Sequence, residues 1–246
     1  PSFDVSPSFK SMVNQISSEI VQLTADQFRL IDALELQDRI ICSGGAGTGK
    51  SFLAAETARR EIAGGRSTLV IAMHEIFVSY LAYQLKGTSA VVSTLSDLLS
   101  AKYEGEKFDV VIVDEAQDLM TDETIDLLSG LLTGGLEFGR WRLFLDENAQ
   151  AGVIGEYDPT VLDLLRSTGA AYISLKHNCR NTPQIVRETE SVTGAYIGQT
   201  EIKGNGPKVI YCNAESEEEA SDNLLQHIKS LVDEGVSLSE MVVLSP

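Results

Sequence analysis

The sequence predicts an α/β fold in which a mostly parallel β-sheet is flanked by helices. Short β-branched runs alternate with segments whose apolar residues recur at helical spacing along most of the 246 residues. A glycine-rich turn at 44–51 joins one such run to a helix. The run at 108–113 is strongly apolar, as expected of a strand buried on both faces of a parallel sheet. In such folds, ligands bind at the carboxyl ends of the strands.

Two helices are predicted before the first strand. Apolar side chains at helical spacing give residues 8–22 the pattern of an amphipathic helix. Thr24 and Gln27 have the spacing of a capping box, in which each side chain bonds the backbone N–H of the other. This box is predicted to open a second helix that continues to about Leu36.

Strands and helices are predicted to alternate from Ile40 onward. The predicted strands of this layer are 40–42, 68–72, 90–92, 108–113, 141–145 and 171–175. The predicted helices are the one that follows the glycine-rich turn to about residue 63, then 75–85, 95–101, 122–132 and 160–166. Glycine pairs at 64–65 and 134–135 are predicted to end the preceding helices.

The alternating pattern begins again after Lys176, so a domain boundary is predicted there. The predicted elements beyond it are helix 183–191, strand 208–212, helix 217–233 and strand 241–244, with a glycine-rich loop at 194–207. The chain opens on Pro1 and stops just after a strand-like run. We therefore expect it to be a piece of a longer protein.

The composition is that of a globular protein with a strongly acidic balance. The formal net charge is −17, and because nucleic-acid backbones attract lysine and arginine, strong non-specific binding to nucleic acid is not expected. Cys42, Cys179 and Cys212 lack the spacing of a metal site or disulfide framework. No apolar run approaches the length of a membrane span, and a cytoplasmic location is expected.

The turn at 44–51 fits the pattern G-x-x-x-x-G-K-[ST] of the phosphate-binding P-loop. Its glycines let successive backbone N–H groups face inward, and the following helix adds its positive N-terminal end. Lys50 is predicted to contact the β- and γ-phosphates and Ser51 to ligate Mg²⁺. A strand-to-helix turn without a ligand is the alternative. The predicted nucleotide-binding residues of the turn are Gly44, Gly45, Ala46, Gly47, Thr48, Gly49, Lys50 and Ser51.

Two carboxylates follow the apolar run at 108–113. Asp114 is predicted to face the phosphate cradle, where it can hold Mg²⁺, while Glu115 can orient and deprotonate an attacking water. Acidic pairs at strand ends also occur by chance. This pair lies about as far downstream of the turn as P-loop ATPases place theirs, which favours a functional pair.

The residues Asp-Glu-Ala-Gln-Asp at 114–118, after Phe-Asp-Val-Val-Ile-Val, resemble motif II of superfamily 1 helicases of the UvrD/Rep type. Residues 23–27 resemble the Q-motif of that family, which implies that Gln27 reads the edge of adenine as well as capping a helix. Residues 69–73 are similar to motif Ia and residues 94–98 to motif Ib, two motifs that line the family's single-strand groove.

Two further stretches resemble later motifs of the same family. Residues 143–150 resemble motif III, which implies that Gln150 senses the γ-phosphate, although Leu145 replaces the usual glycine. Residues 175–182 resemble motif IV, which implies that Arg180 is an arginine finger. Cys179 stands where the family usually has a tyrosine that stacks on adenine.

The resemblance covers about residues 23–190 and implies a RecA-like P-loop ATPase domain within 1–176. Residues 177–246 would then be the opening part of a second RecA-like domain, whose motifs V and VI are not among these residues. The resemblance implies Mg²⁺-dependent ATP hydrolysis, coupled in the full-length protein to movement along single-stranded DNA or RNA. The catalytic residues it implies are Lys50, Glu115, Gln150 and Arg180.

Two alternatives stay open. One is a helicase-like ATPase that regulates or remodels a protein partner without unwinding nucleic acid, which the acidic charge favours. The other is a P-loop module outside the helicases, such as an AAA-type ATPase.

Overall fold

The computed structural model describes residues 31–32, 35–100, 103, 105–147, 156–194, 197, 199–200 and 206–244. Its strands are β1 (Arg39–Gly44), β2 (Thr68–Ala72), β3 (Val91–Thr94), β4 (Val110–Val113), β5 (Leu119–Met120), β6 (Arg140–Leu145), β7 (Glu156–Tyr157), β8 (Ala171–Leu175), β9 (His177–Asn178) and β10 (Gln199–Thr200). Its α-helices are α1 (Lys50–Ala63), α2 (Glu75–Gln84), α3 (Leu95–Leu99), α4 (Asp122–Leu131), α5 (Gly135–Phe138), α6 (Pro159–Ser167), α7 (Pro183–Thr193) and α8 (Glu217–Asp233). Short 3₁₀ helices cover Ala116–Asp118 and Leu238–Glu240.

Six strands form one parallel sheet in the order β3, β2, β4, β6, β1, β8. The predicted α/β fold with a mostly parallel sheet is therefore confirmed. Strand β1 lies between β6 and β8, and β6 separates β1 from β4. The three segments that follow β1, β6 and β4 consequently meet at one edge of the sheet, with the segment after β6 in the middle.

The sheet is covered by helices on both faces, with one apolar cluster under each set. One cluster contains residues of α1 and α2 packed on Ile40, Cys42 and Phe144, and the other contains residues of α3, α4 and α6 packed on Ile41 and Trp141. Neighbouring residues of β1 thus enter opposite clusters, as the alternation of side chains along a strand requires. Burial on both faces explains why these strands are apolar runs in the sequence.

The predicted boundaries of this layer are close to the observed ones. The ends of the six strands differ from the prediction by no more than two residues. The glycine pair at 134–135 does follow the end of α4, but Gly134, at φ 83°, also caps the start of the short helix α5. The predicted helix 8–22 lies outside the described residues, as does most of the helix predicted from Thr24 to Leu36.

Two predicted strands are wrong. Residues 208–212 and 241–244 are described but are not assigned to strands. A strand is held by hydrogen bonds to a neighbouring strand, and the described residues provide none for these two runs. Helix α8 between them forms as predicted, with Ser216 as its N-cap, but none of its residues is buried.

A buried ion network lies at the start of β6, at the edge of the sheet opposite the glycine-rich turn. Glu61 of α1 pairs with Arg142 at 3.0 Å, with Arg140 at 2.9 Å and with Arg66 at 3.0 Å. The side chains of Glu61 and Arg142 are 4% and 2% exposed. Burial, with a further contribution from the charge of Arg140, lowers the pKa of Arg142 to about 10, against the opposing charges of Glu61 and Asp38. The network therefore depends on Glu61 to balance the charge of Arg142, which water does not reach.

None of the helices in the described parts of the chain is both long and apolar enough to cross a membrane.

Candidate nucleotide site

The turn between β1 and α1 has the backbone geometry of a phosphate cradle. Gly47 and Gly49 have φ values of 84° and 90°, which side-chain-bearing residues rarely adopt. The Thr48 hydroxyl donates a hydrogen bond to the carbonyl of Gly45 at 2.8 Å, closing the turn on itself. Helix α1 begins at Lys50, so its positive N-terminal end points at the same place.

Lys50 is folded against the turn that precedes it. Its Nζ atom donates hydrogen bonds to the carbonyl oxygens of Gly44 at 2.9 Å and Gly45 at 3.3 Å, and its side chain is 5% exposed. The same Nζ lies 4.0 Å from Oε2 of Glu115. A phosphate entering the cradle would offer this ammonium a charged acceptor in place of two neutral carbonyls.

Asp114 directly follows β4 in a fully buried position, yet its carboxylate is not satisfied. Neither oxygen has a well-formed hydrogen bond from any described group. Burial, and after it the charge of Glu115, raise the pKa of Asp114 to about 6 although Ser51 and Lys50 act in the opposite direction. Buried charges are normally paired or bound to a metal. Two unsatisfied carboxylate oxygens beside the Ser51 hydroxyl fit the oxygen ligands that Mg²⁺ prefers.

The raised pKa of Asp114 predicts a pH dependence of stability. The pKa of Asp114 is about 6 in the folded protein and 3.8 when the carboxyl is unperturbed, as in the unfolded chain. The folded protein therefore holds the Asp114 proton more tightly than the unfolded chain does. The stabilisation is therefore complete below pH 3.8 and is lost as the pH rises through 6, by a total of about 3 kcal/mol.

Asp114→Asn cannot undergo this loss, so its stability relative to the wild type should rise by about 2.5 kcal/mol between pH 4 and pH 7.5, most of the total. Urea unfolding at both pH values in the presence of EDTA measures the difference. Asn at the exposed position Asp126 is the matched control. An Asp114→Asn variant whose stability follows that of the wild type at both pH values would contradict the prediction.

Glu115 has an unusual backbone. It is the one residue other than glycine with a positive φ, 52°, in the part of the chain that the structure describes. Such conformations cost energy and concentrate at functional sites. The carboxylate is partly exposed, and its Oε2 accepts a hydrogen bond from Nε2 of Gln117 at 3.0 Å.

A cavity of about 290 Å³ lies against the glycine-rich turn, and Asp114 is not among the residues that line it. Seven predicted site residues line it: Ala46, Gly47, Gly49, Lys50, Ser51, Glu115 and Arg180. His74 and Phe77 from the start of α2 also line it. The Arg180 side chain is exposed and forms no hydrogen bond or ion pair with any described residue.

Asn178 is a residue of this site that the sequence interpretation missed. Its Nδ2 donates to the carbonyls of Ala46 and Ile197, both at 2.9 Å, and its Oδ1 accepts from the backbone N–H groups of Arg180 and Asn181. A Cβ atom on Gly47 would lie 2.8 Å from its side chain. Asn178 thus fastens the segment that carries Arg180 to the glycine-rich turn.

Four other residues from the stretches that resemble helicase motifs do not line this cavity or lie outside the described residues. Cys179 is buried, and its backbone N–H donates to the carbonyl of Gly47 at 2.9 Å. Thr94, in the stretch that resembles motif Ib, caps α3 by accepting from the N–H of Asp97. Gln27 and Gln150 lie outside the described residues, so their roles stay predictions.

Comparison with solved structures gives distant likenesses. The arterivirus nonstructural protein 10 helicase in complex with DNA is 14% identical, with a TM-score of 0.43 over 74% of this chain and 45% of that one. Bacteroides Pif1 bound to single-stranded DNA is 15% identical, with a TM-score of 0.37 over 60% and 40%. Domain III of the replication initiation protein DnaA from Thermotoga maritima is 14% identical, with a TM-score of 0.39 over 97% and 91%.

Because these TM-scores are below 0.5, the likenesses carry no argument about activity or partners. The chain spans less than half the length of the two helicases. No curated protein matches the sequence. A family model described as an AAA domain, AAA_30, matches residues 22–193, which is well over half of the chain and includes the glycine-rich turn, Asp114 and Arg180. The chain therefore belongs to this AAA domain family and has an α/β P-loop fold.

Proposed function

We propose that this chain binds and hydrolyses ATP as the ATPase domain of a superfamily 1 helicase-like protein, which moves along single-stranded nucleic acid. The observation that carries the proposal is the buried, unsatisfied carboxylate of Asp114 beside Ser51 and Lys50 at the P-loop. A purely structural turn would have no use for an unpaired charge at this depth.

The proposed roles follow from the positions of the side chains. The N–H groups of the turn and Lys50 would bind the phosphates, and Ser51 and Asp114 would hold Mg²⁺. When bound, Mg²⁺ would neutralise charge on the phosphate oxygens. Arg180, whose guanidinium has no partner among the described residues and lines the cavity, would contact the γ-phosphate as the arginine finger.

In the proposed reaction, Glu115 acts as the general base. The oxygen of a water molecule forms a bond to the γ-phosphorus, the bond from this phosphorus to the β–γ bridging oxygen breaks, and a water proton passes to the Glu115 carboxylate. The products are ADP and inorganic phosphate. Glu115 is suited to this role because it lines the cavity, is partly exposed and lies 4.0 Å from the Lys50 ammonium.

The exposed face of α2 supports the nucleic-acid part of the proposal. Ile76, Tyr80 and Tyr83 are 74%, 40% and 75% exposed and lie at helical spacing on one side of the helix. Exposed aromatic side chains are the groups on which single-stranded bases stack. The same helix begins beside the cavity, which Phe77 lines. Helix α2 therefore connects the nucleotide cavity to the exposed aromatic face.

The net charge of −17 favours a second candidate function. A helicase-like ATPase that remodels or regulates a protein partner does not need a basic path for a phosphate backbone. Membership of the AAA domain family is also compatible with a P-loop module outside the helicases. In both cases ATP hydrolysis would not respond to nucleic acid.

ATP turnover with and without single-stranded DNA or RNA distinguishes the candidates. At low salt, single-stranded nucleic acid should stimulate hydrolysis at least several-fold, and replacing Tyr80 and Tyr83 with serine should remove most of the stimulation while leaving the basal rate unchanged. Serine at the exposed Tyr211 is the matched control. Hydrolysis that does not respond to either nucleic acid would reject the motor function and support the second candidate.

A further inference from the structure

Gln117 bridges Glu115 and the end of β6, and it has no role in the reaction proposed above. It is 1% exposed, and both ends of its side-chain amide are engaged. Nε2 donates to Oε2 of Glu115 at 3.0 Å, and Oε1 accepts the backbone N–H of Asp146 at 2.9 Å. One side chain therefore connects the carboxylate after β4 to the first residue after β6.

The chemistry of the two partners fixes the orientation of this amide. A carboxylate oxygen can only accept a hydrogen bond, and a backbone N–H can only donate one. Turning the amide over would place its oxygen against Glu115 and its NH₂ against the N–H of Asp146, which would lose both bonds. Gln117 is therefore held in one arrangement, and glutamine is the side chain of this length that satisfies both partners.

The backbone brings Gln117 to this position. The positive φ of Glu115 turns the chain sharply out of β4 into the 3₁₀ helix Ala116–Asp118, which returns the Gln117 side chain beneath that of Glu115. Because β6 lies between β4 and β1, the N–H of Asp146 is available as an anchor on the side of the P-loop. The positive φ of Glu115 and the two hydrogen bonds of Gln117 are therefore parts of one local structure.

The two carboxylate oxygens of Glu115 differ in their contacts. Both the Gln117 hydrogen bond and the approach of Lys50 are made with Oε2. No described residue donates a hydrogen bond to Oε1 of Glu115. The bridge therefore holds the carboxylate by one oxygen and leaves the other to meet a water molecule in the cavity.

We propose that Gln117 is a positioning residue for hydrolysis, which anchors the Glu115 carboxylate to the end of β6 and so fixes the direction of its free oxygen. This inference rests on the proposed function, in which Glu115 is the general base. It adds a requirement that the base be tied to the neighbouring strand, since misdirecting a general base lowers the rate of proton transfer without changing the affinity for substrate.

Two variants remove the bridge without adding a charge. Gln117→Met has nearly the same size and keeps neither bond. Gln117→Leu also keeps neither bond but is shorter. Gln226→Met, at an exposed glutamine of α8, is the matched control for the substitution itself. Hydrolysis is measured with the chain in excess over ATP, which gives a plateau rate and a half-saturating protein concentration.

Both Gln117 variants should lower the plateau rate by about 10- to 100-fold and change the half-saturating concentration less than about threefold. Gln226→Met should match the wild type in both quantities. If Gln117 served only to hold β4 to β6, both variants would unfold at a lower urea concentration than the wild type but would keep the wild-type plateau rate when folded.

Three outcomes would overturn the inference. A wild-type plateau rate in a folded Gln117→Met or Gln117→Leu variant overturns this inference but not the proposed function, as does failure of both variants to fold, because either result assigns Gln117 to the architecture. Absence of hydrolysis by the wild-type chain overturns the proposed function and this inference with it. If Gln117→Met does not fold, Gln117→Leu decides the question by itself.

Discussion

Replacing Glu115 with glutamine should lower the rate of ATP hydrolysis by about 100- to 10,000-fold, the range that general-base catalysis contributes. The glutamine side chain has the same shape and can still accept the hydrogen bond from Gln117, but it cannot take a proton from water. Because neither the glycine-rich turn nor Lys50 is changed, nucleotide binding should stay within a few-fold of the wild type.

Phosphate release with the chain in excess over ATP measures the rate, and calorimetric titration with ATP and Mg²⁺ measures the binding. Glu123→Gln, at an exposed position of α4, is the matched control and should behave as the wild type. A Glu115→Gln variant that keeps more than a tenth of the wild-type rate would show that another group accepts the proton. Loss of binding instead of turnover would assign Glu115 to the cradle.

Glu61→Gln should destabilise the folded chain by about 3–5 kcal/mol, the cost of leaving a buried charge without its partner. Glu61 contacts three arginines, of which Arg142 is 2% exposed and cannot turn to water. The glutamine amide can replace some of the hydrogen bonds but none of the charge.

The matched control for this prediction is Glu56→Gln. Glu56 also pairs with two arginines of α1, but its side chain is 25% exposed and the pairs are of the surface kind, worth less than about 1 kcal/mol. Urea unfolding of both variants gives the comparison. If Glu61→Gln cost no more than Glu56→Gln, the network at the start of β6 would contribute little to stability.

Local signals explain why much of the fold could be predicted. The segment from β1 through the turn to α1 carries its information within a few residues, since an apolar run, glycines at positions of positive φ and a helical pattern follow one another directly. The buried strand β4 and the carboxylates after it are similarly local. Parallel strands joined through helices then bring Asp114 to the same edge of the sheet as the turn.

The contacts that complete the site could not be predicted in the same way. Asn178 meets Ala46 across 132 positions of sequence, and Gln117 meets Asp146 across 29. Ala46 and Asp146 both lie in stretches with motif patterns, but they make these contacts through backbone groups that any residue offers, so the motifs do not predict the contacts. The signal available for Asn178 was its place two residues before Arg180, where asparagine commonly forms a turn with its own backbone.

The two wrong strands have a related cause. Residues 208–212 and 241–244 have the β-branched composition of strands, but composition measures how well a side chain fits a pleated, half-buried surface. In the described part of the chain these runs have no such surface, and Ile210, Tyr211 and Val242 are exposed by 65%, 65% and 80%. A strand depends on its neighbours in a way that α8, whose hydrogen bonds are internal, does not.

Release of the γ-phosphate from ATP by the unmodified chain, with Mg²⁺ and with EDTA in its place, tests the central claim most directly. With the chain in excess over ATP, we expect slow release that depends on Mg²⁺ and is lost in Lys50→Ala. ATP hydrolysis at this site would be contradicted if no phosphate were released with Mg²⁺ present, or if release continued at the same rate in EDTA or in the Lys50→Ala variant.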